Sequence, residues 1–107
     1  MSRQPIRDLK RSLSAGALPG AGIEQRQLAR DAALALLERS IGFGHARLAV
    51  IRLSMAVQAG ADVPATHWSY CEHAAAQSRD QDLQALWLAA AAAVGSQTPA
   101  VGMAAAH

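Results

Sequence analysis

Between residues 45 and 59 the chain carries two apolar stripes at once, and this constrains the fold more than any other feature. Leu48, Ile51 and Met55 share one side of a helix drawn over this stretch, while Val50, Leu53 and Val57 share another. Arg47, Ser54 and Gln58, at i, i+7 and i+11, leave only a narrow polar strip. A helix apolar on two sides must be covered on two sides. The stretch is therefore expected to be the central helix of an all-α domain.

The flanking segments supply its covers. Residues 23–40 place Leu28, Ala32, Ala35 and Leu36 at helical spacing, with Ala29, Ala33 and Leu37 broadening the face, and Gly42 and Gly44 around Phe43 mark a tight connection. Gly60 closes the central helix. Asp62 and Pro64 then suit the opening of another over residues 63–77, with Trp68, Cys71 and Ala75 on its buried face. Ser78 and Gln81 match a capping box for a helix over residues 79–94, carrying Leu83, Leu86, Trp87, Ala90 and Val94, with Gly95 as its stop. Short connections imply antiparallel neighbours, hence a four-helix antiparallel bundle or stacked helical hairpins. No stretch alternates convincingly enough to be a strand.

Ahead of this body, residues 2–15 form a short amphipathic pattern: Ile6, Leu9 and Leu13 at i, i+3 and i+7, Pro5 in the first turn and Gly16 at the end. Residues 16–22 hold three glycines and Pro19 and read as a linker. The expected organisation is an arm and linker over 1–22, a helical domain over 23–95 and a loose tail over 96–107.

Alanine, about a quarter of the chain, favours helix because it loses no side-chain entropy on ordering. The same methyl groups bury little area each, which makes a permanent partner a natural source of extra burial. The net charge of +2 is uneven: Arg3, Arg7, Lys10 and Arg11 outweigh Asp8 at the start, and the remainder is nearly neutral. A structured nucleic-acid surface normally shows a basic stripe on the folded body, and this body lacks one. The longest apolar run, ending at Val94, is about half the roughly 20 residues a membrane helix needs. One cysteine, Cys71, and no secretory leader pattern point to a cytoplasmic chain.

Candidate chemistry is sparse. His67 and Cys71, at i and i+4, could face one ion, but His73 projects from the opposite side, and zinc usually takes three or four protein ligands. Cys71 reads as a small buried residue, and Asp80 and Asp82 as first-turn acids favoured by the helix dipole. No metal, cofactor or catalytic group is assigned, and the chain is expected not to be an enzyme. Arg47, Trp68, Tyr70 and Trp87 are the candidate partner-binding residues, with core packing the competing reading for both tryptophans.

Helices beginning near His45 and Arg79 start about 34 residues apart, the period of a tetratricopeptide unit. Residues 31–60, a helix and short turn followed by Arg47-Leu48-Ala49-Val50-Ile51-Arg52-Leu53-Ser54 and closed by Gln58-Ala59-Gly60, resemble the small repeat-type chaperones of bacterial type III secretion. That resemblance implies a helical scaffold that cradles an aggregation-prone subunit before export. Together these features point to a non-enzymatic chaperone, adaptor or regulator that binds another protein, or a second copy of itself, through an apolar helical face. The alternative is a small DNA-associated regulator acting through Arg3, Arg7, Lys10 and Arg11.

Overall fold

A computed structural model describes residues 6–18 and 20–97 as five helices: α1 (Ile6–Ala17), α2 (Ile23–Gly42), α3 (Ala46–Gln58), α4 (Ala65–Ser78) and α5 (Gln81–Gln97). There is no strand among the described residues. Arg3, Pro5 and residues 98–107 of the expected tail lie outside them.

The two-stripe helix is central, as its sequence demands. α3 packs against α2, α4 and α5, and its residues Ala49, Val50, Leu53, Ala56 and Val57 are buried. The core they join takes Ala33 and Leu37 from α2, Cys71 and Ala75 from α4, and Leu83 and Ala90 from α5. The second sequence stripe fares differently. Leu48 and Ile51 are only half-buried, Ile51 against the edge of the core, and Met55 is 36% exposed. Ser54, assigned to the polar strip, is instead buried.

α1 was set apart by sequence as an arm, and in the structure it packs along α2. Leu9 is 6% exposed and clusters with Ala32 and Leu36 of α2. Gly16 does not end the helix as expected; it lies within α1, at the point of closest approach to α2. A Cβ there would overlap the methyl group of Ala29 and come within 2.9 Å of the Gln25 carbonyl oxygen. The contacts run Gly16 to Ala29 and Leu9 to Leu36, so α1 lies antiparallel to α2. Glycine here is a packing surface, placed on the same stripe as Leu9 and Leu13.

Several boundaries differ from the sequence reading. Asp80, not Ser78, caps α5: its Oδ1 accepts from the backbone N–H of Asp82 at 2.9 Å and of Leu83 at 3.3 Å. Ser78 serves the preceding turn, where its Oγ accepts from the Asp80 N–H and donates to the Ala75 carbonyl. Pro64 rather than Asp62 occupies the cap position of α4. α5 continues through Gly95 to Gln97. Leu28, placed on the buried face of α2 by its spacing, is 53% exposed; Ala29, Ala33 and Leu37 fill that face. α4 ends on Arg79 in the left-handed region, at φ 58°.

Candidate functional site

Because α1 and α3 both pack on α2 but not on one another, a groove is left between them. It holds a cavity of about 580 Å³. Leu13 and Ala17 line it from α1, Ala29 from α2, Met55 from α3 and Ala59 from just past its end, so its walls are mainly apolar. Arg26 and Gln58 add hydrogen-bonding groups to the lining. Arg26 is anchored by donating to the Ala21 carbonyl, and Gln58 by donating to Ser54 Oγ at 3.2 Å.

Arg52 continues the line of Met55 and Ala59 along α3, one turn nearer the start of the helix. It is 8% exposed, the only charged side chain so buried among the described residues. Its Nη1 donates to the Leu36 carbonyl at 3.4 Å, a long bond to an oxygen that Ser40 Oγ already engages at 3.1 Å. No carboxylate among the described residues lies within ion-pairing distance of it. Burial, and then the neighbouring positive charge of Arg39, depress its pKa from the ordinary arginine value. A guanidinium presents five donors in a planar fork. Here one of them has a protein partner. Sequence reasoning missed this residue, since nothing in the spacing of α3 shows that its side chain reaches the Leu36 carbonyl of α2.

The residues singled out by sequence fall into three places. Arg47 and Tyr70 come together, lining a second cavity of about 540 Å³ between the start of α3 and the end of α4, with His73 and Leu83. Arg47 is committed there to an ion pair with Asp80. That pair, with the backbone N–H of Leu83, holds the Asp80 carboxyl below its ordinary value. Trp68 and Trp87 lie apart from this cavity. They meet edge to face, with ring centroids 6.3 Å apart, and both are half-buried against the core. The Trp87 indole N–H is buried without an acceptor among the described residues.

Arg7, Lys10 and Arg11 are exposed on α1, with Arg11 4.0 Å from Asp8. His67 turns away from Cys71 to Glu38, Nε2 to Oε2 at 3.0 Å, and so ties α4 to α2. Cys71 is fully buried, and burial pushes its thiol up to about 11. A nucleophilic or metal-binding cysteine needs the thiolate, which this environment disfavours. Among the described residues no group of three His, Cys, Asp or Glu side chains could hold a metal ion, and no helix is long and apolar enough to cross a membrane.

No protein-family model, curated protein or solved structure matches this chain.

Proposed function

We propose that the chain is a non-enzymatic helical interaction module, of the chaperone, adaptor or regulator kind, that takes a segment of a partner protein into the groove between α1 and α3. The carrying observation is the groove itself. It is an apolar trough with polar groups in its lining, and Met55 stands exposed on its wall. The pairing of successive helices, with α3 also packed on α5, supports stacked hairpins over a closed bundle. Stacked hairpins leave concave surfaces of this kind. On this reading Arg47 and Tyr70 form a secondary contact surface, and the tryptophan pair stiffens the hairpin behind it. The resemblance to type III secretion chaperones would make the partner an export subunit held in a bacterial cytoplasm.

A photo-crosslinking residue placed at Met55, and separately at the exposed Glu72 on α4, tests the reading in native lysate. A discrete protein adduct from position 55 and none from position 72 is expected. No adduct at 55, or equal adducts at both, would contradict it.

A second reading rests on the exposure of Arg7, Lys10 and Arg11 on α1. Three cations there could hold a nucleic-acid backbone, with binding that weakens steeply as salt rises. Neutralising all three to Gln should abolish DNA retardation in a gel, and retardation that survives would sink this reading.

A further inference from the structure

We propose that residues 98–107 of this chain dock into the groove between α1 and α3, so that a partner segment has to displace them. This rests on the groove reading above and adds its regulation. The groove offers Leu13, Ala17, Ala29, Met55 and Ala59, and its one charged lining residue, Arg26, donates to the Ala21 carbonyl. Such a trough favours an uncharged, apolar occupant, because a charge placed there would lose its water without gaining a counter-charge. The chain carries a segment of that kind. From Leu83 to Ala106 it holds no Asp, Glu, Lys or Arg, and residues 98–107 set Val101 and Met103 among alanines. Segments that stay solvated are ordinarily polar and charged, and this one is neither.

The helices deliver the segment to the right end of the groove. The second cavity gathers Ala46 and Arg47 at the start of α3 with Asp80 and Leu83 at the start of α5, and α5 packs along α3. The two helices therefore run in the same direction. Trp87, less than halfway along α5, already meets Trp68 in the first turn of α4, which follows the end of α3 by a short connection. The last turns of α5 are thus carried to the end of α3 where Met55, Gln58 and Ala59 line the groove. Ten residues reach about 33 Å when extended, more than the roughly 20 Å that 13 helical residues of α3 measure end to end. Docking is intramolecular, at an effective concentration on the order of millimolar. A modest apolar contact by Val101 and Met103 then suffices to fill the groove, and a tighter partner still displaces it.

The test uses the full chain with ¹³C-methyl methionine, which places one probe in the groove at Met55 and one in the segment at Met103. A nitroxide is attached at Ala105→Cys; Cys71, fully buried with its thiol pushed up to about 11, does not compete for the label. The Met55 methyl signal should be broadened away, and to the same extent at tenfold dilution. Val101→Ser with Met103→Gln, both beyond α5, should restore that signal in the nitroxide-labelled chain. Without the nitroxide, the same double variant should bind the neutral apolar dye N-phenyl-1-naphthylamine about tenfold more tightly than the parent, followed by the Met55 shift. A Met55 signal left sharp by the nitroxide would overturn the proposal, and the partner reading would still stand or fall on the adduct from position 55. Broadening that fades on dilution would put the segment of a second copy in the groove and overturn docking within one chain. Equal dye affinity for parent and double variant would overturn it as well. Broadening of Met55 together with no partner adduct from position 55 would uphold the docked segment and sink the partner reading.

Discussion

Arg52 and Cys71 show what burial does to two side chains that a sequence presents as ordinary. Cys71 was legible: it stands on the apolar stripe of its helix, and it is indeed fully buried. With its thiol pushed up to about 11, only a minute fraction is thiolate at neutral pH, and the core blocks access as well. Its reaction with an aromatic disulfide reagent at pH 8 should be at least about a hundredfold slower in the folded chain than in urea, since both thiolate fraction and access limit the rate. A fast native reaction would mean that α4 opens readily. Arg52 was not legible, because its carbonyl partner, Leu36 of α2, lies 16 residues away. Asp80 lies between these cases. Its place at a helix start could be read, but its partner Arg47, 33 residues away, could not. Its carboxyl is held below the ordinary value, so the stability it contributes is present above the unfolded-state value of about 4 and is lost as pH falls from there through the lower folded-state value. Asp80→Asn should therefore be less stable than the parent at pH 7, with the gap closing below about pH 4 in urea titrations. A gap independent of pH would show that the charge contributes nothing.

At the scale of elements, the helices were readable and their ends were not. Periodicity of 3.6 found all five, since each carries at least one apolar face. Caps and stops failed where one signal competed with another. Ser78 and Asp80 both offer oxygen acceptors, and the residue nearer the first turn captured the orphan N–H groups. Gly16 was the costlier misreading. Glycine reads as a stop because it has no side chain, and here that absence lets α1 touch α2. Gly16→Ala sets two effects against each other. Alanine in a helix gains about 1 kcal/mol in propensity, but the new methyl overlaps Ala29, and overpacking of that kind costs about 1–3 kcal/mol. The overlap should win. Urea denaturation should show net destabilisation, and amide exchange in α1 should accelerate more than in α4. The opposite sign is expected at Arg79, whose left-handed backbone is about 1–2 kcal/mol unfavourable for a residue with a Cβ. Arg79→Gly should raise stability by up to about 1 kcal/mol, after the entropy that glycine adds to the unfolded chain.

Across the whole molecule, the central position of α3 follows from its two stripes, and the groove follows from a stripe only partly used. Val50, Leu53 and Val57 build the core, while Leu48 and Ile51 stay half-buried and Met55 opens on the groove between α1 and α3. A sequence pattern records that a face is apolar and does not record what covers it. That distinction separates a core from a binding trough, and it is why the candidate site could be anticipated as a face but not placed. Arg47, Trp68, Tyr70 and Trp87 stand out in the sequence by residue type alone, and the structure divides them between a second cavity and the edge of the core. The most direct test of the account is amide hydrogen exchange on the chain alone and on its complex with the protein crosslinked from position 55. Protection gained in residues 13–17 and 52–59, with α4 and α5 unchanged, is the predicted result. Protection gained instead in residues 46–47 and 70–78 would place the partner on the second cavity and contradict the groove as the binding site.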